Sequence, residues 1–317
     1  MRFANYEEFF RAMPLILDRA TLLAAPDNTD LNTLKGILEE LRSSIKIDLS
    51  DLGRDAIDCC GTGGSGQNKF NTSSAVAFVV AAAGKRVIKF GNRSATGQSG
   101  SLDFLDSISI CPVAERGAIE HSLEKENLAF LDASRFYPQL KELAPLRKKL
   151  GRPTILNFLG PLLNPLKPEY RLLGISNEAM LNHLATFCIE EPGLKKALLV
   201  RSEQGLDELD PLSSNTVIEI NGAETPSRYS LKTLRISGSL AEEKRDNRSI
   251  FLDIIEGKDS RSLVYASLVL NGAAALLATA AAGSLEEGME KVETLLKSGA
   301  VREKYIRVKD LTKEIAA

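Results

Sequence analysis

The sequence has few of the residues that several functional classes depend on. Its 317 residues include two histidines, four cysteines and no tryptophan. The cysteines form no Cys-x-x-Cys motif, and adjacent residues of a strand point to opposite faces, so neither a zinc cage nor a disulfide framework is expected. A reducing cytoplasm is the simplest compartment for such thiols. The four cysteines are Cys59, Cys60, Cys111 and Cys188.

The sequence also lacks an excess of charge of either sign. With 40 basic and 42 acidic side chains the formal net charge is −2, which does not favour a nucleic-acid partner. The first residues lack the basic start and apolar run of a signal peptide. The most apolar long stretch, residues 263–283, is mostly alanine and includes Ser267 and Asn271. This composition predicts a buried helix and excludes the membrane as a partner.

Hydrophobic periodicity predicts helices first and then strands alternating with helices. Apolar residues three and four apart predict helices at Tyr6–Leu17 and Leu31–Ile45. From Asp55 onwards, short apolar runs alternate with helical patterns, which is typical of βαβ units with a parallel sheet. The predicted strands are 55–60, 86–90, 128–132, 170–175 and 196–201, and the predicted helices between or after them include 72–83, 138–150 and 178–190.

The C-terminal third is less regular in its pattern. Residues 215–237 are predicted to form strands and turns, and the charged stretch 239–250 is predicted to be a surface loop. Residues 261–298 are predicted to form two helices separated at Gly283. The fold class is therefore α/β, with a mainly parallel central sheet flanked by helices and a smaller helical part.

The clearest chemical signal is a long stretch without acidic residues. Residues 59–102 contain no Asp or Glu, although about six would be expected from the 42 acidic residues among 317. The same stretch contains five basic residues, many hydroxyl side chains and clustered glycines: Gly61, Gly63, Gly64, Gly66, Gly91, Gly97 and Gly100. Converging backbone N–H groups, hydroxyls and lysines without carboxylates indicate a phosphate site.

Two common phosphate motifs fit this stretch poorly. Residues 61–66 match the G-x-G-x-x-G dinucleotide fingerprint, but the second predicted strand runs into Gly91-Asn92-Arg93 rather than an acidic residue. An arginine could accept the 2′-phosphate of NADP, so a dehydrogenase remains an alternative at this point. The P-loop pattern is absent because no Gly-Lys-Ser/Thr follows at the required distance.

A series of short motifs extends over roughly residues 55–300. The motifs are Asp58-x-x-Gly-Thr-Gly-Gly64, Asn71-x-Ser73-Ser74, Lys89-x-Gly91-Asn92-Arg93, Ser99-Gly-Ser101-x-Asp103, Ala144-Pro-Leu-Arg147, Asn157-x-x-Gly160-Pro-Leu-x-Asn164-Pro165, Gly205-Leu-Asp207-Glu208, Asn271-Gly-Ala-Ala-Ala275 and Ser298-Gly299-Ala300. In content and order these motifs resemble the anthranilate phosphoribosyltransferase family, whereas the first fifty residues resemble that family only in being helical.

The resemblance implies an enzyme, a Mg²⁺-dependent pentosyltransferase of tryptophan biosynthesis. It would transfer the phosphoribosyl group of 5-phosphoribosyl diphosphate to anthranilate. The family fold implies a small helical domain of residues 1–50 plus about 176–192. The larger α/β domain would comprise 55–175 and 193–317. Because relatives dimerise through their helical domains, a homodimer is also implied.

The resemblance also assigns site residues, none of them a general acid or base. For 5-phosphoribosyl diphosphate it implies Gly61, Gly64, Ser65, Lys69, Asn71, Thr72, Ser73, Ser74, Lys89, Asn92, Arg93, Gly97 and Ser101. For anthranilate it implies Gly61, Asn92 and Arg147, the last facing the carboxylate. For Mg²⁺ it implies Ser73, Asp207 and Glu208, hard oxygen ligands beside a diphosphate. Outside this context Asp207-Glu208 would be interpreted as a surface pair and Arg147 as part of a solvated helix face.

The sequence departs from the family pattern at four positions. Ser65 replaces the usual Asp, Phe90 and Tyr137 replace histidines, and Gln98 stands where Lys is common. The changes at Phe90 and Tyr137 remove polar groups near the expected acceptor. A phosphoribosyltransferase for another aromatic acceptor is therefore one alternative, and a pyrimidine nucleoside phosphorylase of the same fold is another. A non-enzymatic relative should have lost the glycine loop and the acidic pair, which are both present.

Overall fold

The computed structural model describes residues 29–316, apart from 46, 66–69, 94–98, 142–143, 223 and 233–244. The predicted helix at Tyr6–Leu17 lies outside the described residues. Within the described part of the chain, no helix is both long and apolar enough to span a bilayer.

A seven-stranded sheet forms the centre of the molecule, with the strand order β3-β2-β1-β4-β5-β6-β7. Strands β1 to β5 pair in parallel, whereas β6 and β7 pair antiparallel at one edge. This confirms the predicted mainly parallel α/β sheet. The strands are β1 (Ala56–Gly61), β2 (Arg86–Gly91), β3 (Leu128–Asp132), β4 (Tyr170–Gly174), β5 (Lys196–Ser202), β6 (Asn215–Asn221) and β7 (Ser227–Leu231).

The helices flank this sheet. Two 3₁₀ turns, Ser50–Gly53 and Gly160–Leu163, lie in the connections between helices and strands. Numbered along the described chain, the helices are α1 (Leu31–Ser43), α2 (Thr72–Ala82), α3 (Ser101–Ser107), α4 (Arg116–Glu126), α5 (Ala133–Phe136), α6 (Pro138–Lys141), α7 (Ala144–Leu150), α8 (Ile155–Leu159), α9 (Ala179–Glu190), α10 (Asn247–Ile255), α11 (Leu263–Ala278), α12 (Leu285–Lys297) and α13 (Ala300–Ala316).

The two faces of the sheet are covered by different helices. Helices α2 and α11 are apolar on nearly every side, which is typical of helices buried all round. They pack with α10, α12 and α13 on one face, around a cluster that includes Phe78 and Phe251. The other face is covered by α1, α8, α9 and the 160–163 turn. The prediction of two helices separated at Gly283 is confirmed by α11 and α12.

One sequence-based boundary differs from the structure. The described residues of the predicted helix 138–150 are helical, in α6 and α7, on either side of residues 142 and 143. The prediction of a surface loop over 239–250 is wrong at its end, because α10 begins at Asn247. Asp246 caps this helix by accepting a hydrogen bond from the amide of Ser249 at 2.9 Å. Apolar residues on the far side of the helix are buried, and this tertiary packing outweighs the local charge.

Helices α1 and α9 lie against each other beside the main sheet. Arg42 of α1 donates to the Glu191 carboxylate at 2.6 Å, and Lys35 pairs with Glu190 at 2.7 Å. The apolar face of α1 is buried in the same cluster as that of α9. The division into a small helical domain and a larger α/β domain stays a prediction.

Candidate active site

The candidate site lies at the carboxyl ends of the neighbouring strands β2, β1 and β4. Strand β1 ends at Gly61, β2 at Gly91 and β4 at Gly174. In open α/β sheets, ligands bind beyond these strand ends. The amide of Thr62 donates to the Gly174 carbonyl at 2.9 Å, so the loop after β1 starts in contact with the end of β4. The acid-free stretch predicted to bind phosphate therefore begins where a ligand is expected in this fold.

The acidic loop between β5 and β6 closes over this edge of the sheet. The Asp207 carboxylate accepts a hydrogen bond from the amide of Gly63 at 2.7 Å. A Cβ atom at Gly61 would lie 2.2 Å from the carboxylate oxygen Oδ2 of Asp207, and a Cβ atom at Gly174 would lie 1.8 Å from the Asp207 carbonyl. Only glycine at both strand ends leaves room for this loop.

A buried asparagine of α11, Asn271, binds the backbone of the acidic loop. The side chain of Asn271 accepts from the amide of Leu209 at 2.9 Å and donates to the Leu209 carbonyl at 2.8 Å. Asn271 is almost completely buried, so these two bonds are shielded from water. The Asn271-Gly motif of the sequence thus fixes the backbone next to Asp207 and Glu208.

The first turn of α2 contacts the second acidic residue. Thr72 donates its hydroxyl hydrogen to the Glu208 carboxylate at 3.1 Å. Asp207 and Glu208 are 7% and 8% exposed, which is inconsistent with a solvated surface pair. Ser73 follows Thr72 in the same turn. Among the described residues the fully buried hydroxyl of Ser74 has no hydrogen-bond partner.

Asn71 precedes α2 and does not cap it in the usual way. Its backbone carbonyl accepts from the amides of Ser74 and Ala75, but its side chain makes no capping bond. The side-chain oxygen of Asn71 instead accepts a hydrogen bond from Ser99 at 3.0 Å. The side chain of Asn71 is therefore directed toward the loop that precedes α3.

The end of β2 supplies the basic side of the site. Lys89 is buried, with 3% of its surface exposed, and its ammonium group donates a long hydrogen bond of 3.4 Å to the Phe90 carbonyl. Ser101 packs on Gly91, where a Cβ atom would lie 2.8 Å from the Cβ of Ser101. Asn92 is exposed at the same strand end. Lys89 and Ser101 thus lie beside the strand that neighbours the glycine loop.

The side chain of Arg93 forms ion pairs with helix α3. Its exposed guanidinium pairs with Asp103 at 2.9 Å and with Asp106 at 2.7 Å, both on α3. These two ion pairs raise the pKa of Arg93 further above its ordinary value. The resemblance implies Arg93 for 5-phosphoribosyl diphosphate, and in this structure its guanidinium is paired with the two carboxylates of α3.

A buried polar network lies beneath the strand ends. The carboxylate of Asp58 accepts from the Asn164 side chain at 2.8 Å and is fully buried, which raises its pKa. Arg171, its partner in register on β4, is also fully buried and donates to the Pro161 carbonyl at 2.6 Å. These hydrogen bonds join the loop that includes Pro161 and Asn164 to strands β1 and β4.

Arg147 lies on α7, and the connection that follows this helix approaches the glycine loop. Arg147 is half-buried, burial lowers its pKa, and it donates to the side chain of Asn157 at 3.0 Å. Pro153, in the connection after α7, approaches the glycine loop, since a Cβ atom at Gly64 would lie 2.9 Å from its Cγ. Arg147 is not part of a solvated helix face, unlike the exposed Lys149.

Some predicted residues lie outside the described part of the chain and others were missed. Lys69, Gly97 and Gln98 are not described, whereas Ser65 follows Gly64 and is half-buried. Sequence reasoning missed Ser176, which donates to the Gly63 carbonyl at 2.7 Å and faces the Thr62 hydroxyl at 3.3 Å. The available signal was a hydroxyl residue two positions after a buried strand that ends in glycine.

The oxygen groups around the acidic pair fit a magnesium ion. Among the described residues, no cluster of three or more His, Cys, Asp or Glu could hold a metal ion. A magnesium site does not need such a cluster, since Mg²⁺ is usually held by one or two carboxylates, substrate phosphates and water. Two adjacent buried carboxylates next to the Ser73 turn match this chemistry.

Comparison with known proteins agrees with this arrangement. Residues 53–302 match a family described as "Glycosyl transferase family, a/b domain". The anthranilate phosphoribosyltransferase of Staphylococcus epidermidis RP62A is 34% identical over 260 residues, covering 80% of this chain and 78% of the relative. This match excludes the dehydrogenase alternative.

Solved structures share the fold. The anthranilate phosphoribosyltransferase of Thermus thermophilus superposes with a TM-score of 0.79 at 25% identity, covering 98% of this chain and 97% of that one. The Saccharomyces cerevisiae enzyme, solved in complex with PRPP and Mg, has a TM-score of 0.79 at 24% identity, covering 90% and 81%. With this fold, and with sequence identity extending over four fifths of its length, the chain belongs to the anthranilate phosphoribosyltransferase family of glycosyl transferases.

Proposed function

We propose that the protein transfers the phosphoribosyl group of 5-phosphoribosyl diphosphate to anthranilate, giving N-(5-phosphoribosyl)anthranilate and diphosphate. The observation that carries this proposal is the closure of the acidic loop onto the phosphate-binding stretch. Asp207 contacts the Gly63 amide and Glu208 contacts Thr72 at the start of α2. Carboxylates in this position can hold a Mg²⁺ ion that also binds the phosphates of the substrate.

The diphosphate is proposed to bind between the glycine loop and the start of α2. Backbone amides and the helix dipole favour an anion at a helix N-terminus. The unpartnered hydroxyl of Ser74 and the buried ammonium group of Lys89 supply further donors near the same edge of the sheet. The remaining residues proposed for this substrate are Gly61, Gly64, Ser65, Lys69, Asn71, Thr72, Ser73, Asn92, Arg93, Gly97 and Ser101.

Magnesium is proposed to be held by Ser73, Asp207 and Glu208. Carboxylate and hydroxyl oxygens are ligands that Mg²⁺ prefers, and the two carboxylates are almost inaccessible to solvent beside the glycine loop and the start of α2. When bound, Mg²⁺ would neutralise the charge that develops on the diphosphate leaving group. The complex of the yeast relative with PRPP and Mg supports this assignment.

The acceptor is proposed to bind on the Arg147 side, close to Gly61 and Asn92. A half-buried guanidinium that is held by Asn157 can recognise a carboxylate through two parallel hydrogen bonds. In the transfer step the acceptor nitrogen bonds to C1 of the ribose, the bond from C1 to the diphosphate oxygen breaks with its electron pair leaving on diphosphate, and the nitrogen loses a proton to water. The residues proposed here act by orienting the two substrates and by stabilising the leaving anion.

We also propose a cytoplasmic homodimer with the two domains implied by the sequence. The four cysteines are unpaired and three of them are buried, in keeping with a reducing compartment. The packing of α1 against α9 supports a small helical unit within 1–50 and 176–192, beside an α/β domain of 55–175 and 193–317. The exposed isoleucines Ile47 and Ile189 of that unit support its use as a contact with a second copy.

The proposal is tested by following diphosphate release from 5-phosphoribosyl diphosphate and Mg²⁺ with a panel of aromatic amines. We expect anthranilate to be the best acceptor. Release with another aromatic amine and none with anthranilate would favour a different acceptor on the same phosphoribosyl site. Phosphorolysis of a pyrimidine nucleoside without any transferase activity would instead favour the nucleoside phosphorylase.

A further inference from the structure

The side chain of Asn71 is held by two donors from distant parts of the chain. Its oxygen Oδ1 accepts from the hydroxyl of Ser99 at 3.0 Å and from the amide nitrogen Nδ2 of Asn247 at 2.5 Å. Asn247 is the first residue of α10 and lies 176 positions along the chain from Asn71. It belongs to none of the motifs that indicated a phosphate site.

This arrangement determines which end of the Asn71 amide faces the site. An asparagine side chain has an accepting oxygen and a donating NH₂ group, and only the NH₂ group can bind a phosphate. Both donors occupy the oxygen, so the NH₂ group is directed away from Ser99 and Asn247. Without them, the amide could rotate and present its oxygen to an anion, which would be repulsive.

Helix α10 is anchored firmly enough to hold Asn247 in place. Phe251 of α10 is fully buried and packs edge to face on Phe104 of α3, with ring centroids 5.5 Å apart. The same ring lies 5.3 Å from that of Phe78 of α2. Helix α10 therefore packs rigidly against both the helix that follows Asn71 and the helix that follows Ser99.

We propose that Asn247 is a positioning residue for the phosphoribosyl diphosphate site, acting through the amide orientation of Asn71. The inference rests on the proposed function, because it assigns a role within the binding of that substrate. Asn247 orders a donor for the phosphate and makes no contribution to acceptor binding.

The first test compares Asn247→Leu and Asn247→Asp with wild type. Leucine has nearly the same size and removes the donor, whereas aspartate offers only an acceptor and would turn the Asn71 amide around. We expect the KM for 5-phosphoribosyl diphosphate to rise about threefold to tenfold with leucine, as for a lost neutral hydrogen bond, and further with aspartate. Since the lost interaction is a binding interaction, kcat and the KM for anthranilate should change less than twofold.

A double-mutant cycle separates positioning from a general structural effect. In an Asn71→Ala background, Asn247→Leu should raise the KM no further, because the amide that it orients is gone. Ser249→Ala is the matched control, since it removes a 2.7 Å bond to the capping residue Asp246 in the same helical turn without touching Asn71. This control should leave the KM unchanged.

Several outcomes would overturn the inference. An unchanged KM in Asn247→Leu, or additive effects of Asn71→Ala and Asn247→Leu, would show that Asn247 does not act through Asn71. A similar KM increase in Ser249→Ala would show that any loosening of the helix start has the same effect. Wild-type protein that binds no 5-phosphoribosyl diphosphate in calorimetry would overturn the proposed function itself, and this inference with it.

Discussion

Phe90 at the end of β2 and Tyr137 before α6 pack edge to face, with ring centroids 6.2 Å apart and an interplanar angle of 81°. Both side chains are buried, and the Tyr137 hydroxyl donates to the Leu163 carbonyl at 2.9 Å. The two positions where histidines were expected are therefore in contact. Their replacement by aromatic residues extends one apolar cluster, so it need not create a new acceptor pocket.

This contact leads to a prediction for Phe90→His. An imidazole at this position would be buried against Tyr137 and have no evident partner, which costs about 1–3 kcal/mol of stability. Because Phe90 is a packing residue, anthranilate should remain the preferred acceptor in the variant, with a lowered melting temperature. Thermal unfolding and kcat/KM for a panel of aromatic amines check both parts. If wild type uses anthranilate poorly and the variant uses it better, the Phe90–Tyr137 pair selects a different acceptor.

The residues proposed to bind phosphate could be brought together from the sequence alone because they are close to one another along the chain. The glycine loop, the start of α2 and the end of β2 all lie within residues 61–101. Ser176 and Asn247 could not be found in this way. Their roles depend on contacts with Gly63 and Asn71 across more than a hundred positions, and Asn247 lies where the charged sequence predicted a loop.

The acidic loop was predicted as a functional element, but its burial was not. A pair such as Asp207-Glu208 is usually solvated, and local sequence does not show that Asn271 of α11 fixes the adjacent backbone. The contact between Phe90 and Tyr137 could not be predicted from the sequence either, since it depends on how the segment after β3 folds back onto the sheet. Burial and long-range contacts are properties of the tertiary fold, which short motifs do not encode.

We expect Asp207→Asn combined with Glu208→Gln to abolish Mg²⁺-dependent activity without unfolding the protein. The substitutions keep the size of both side chains and their ability to accept hydrogen bonds from Gly63 and Thr72, but remove the charges that hold a cation. Diphosphate release, Mg²⁺ titration by calorimetry and circular dichroism measure these properties. Full turnover by the double variant, or by wild type in excess EDTA, would contradict the metal assignment.

Asn271→Ala should weaken Mg²⁺ binding indirectly, by releasing the backbone next to the two proposed ligands. It leaves the amide and carbonyl of Leu209 without their buried partner, which costs about 1–3 kcal/mol for each unsatisfied group. We expect a lower melting temperature and weaker Mg²⁺ binding, because the acidic loop is released. Ser267→Ala is the control, since the Ser267 hydroxyl contacts Asn271 only through a 3.3 Å hydrogen bond. Mg²⁺ affinity that is equal in both variants would show that Asn271 does not order the acidic loop.

Lys89→Ala should raise the KM for 5-phosphoribosyl diphosphate and leave that for the acceptor nearly unchanged. A charge-assisted hydrogen bond contributes about 1.5–3 kcal/mol, so the expected increase is roughly ten- to a hundredfold. Ser73→Ala should act in the same direction. Lys85, which precedes β2 at its other end, provides a control of the same charge. Initial rates with each substrate varied in turn distinguish the two KM values, and equal effects of Lys89→Ala and Lys85→Ala would point to a general charge effect.

Arg147→Lys should raise the KM for anthranilate and leave that for 5-phosphoribosyl diphosphate almost unchanged. The guanidinium is half-buried and held by Asn157 at 3.0 Å, so its planar fork can meet both oxygens of a carboxylate, which an ammonium group cannot do. The exposed Lys149 lies on the same helix, and Lys149→Ala should have no kinetic effect. Initial-rate measurements with aniline as a second acceptor sharpen the test, because this amine lacks the carboxylate. If Arg147 binds that group, the variant should lose most of its preference for anthranilate over aniline. A preference equal to that of wild type would place Arg147 outside the acceptor site.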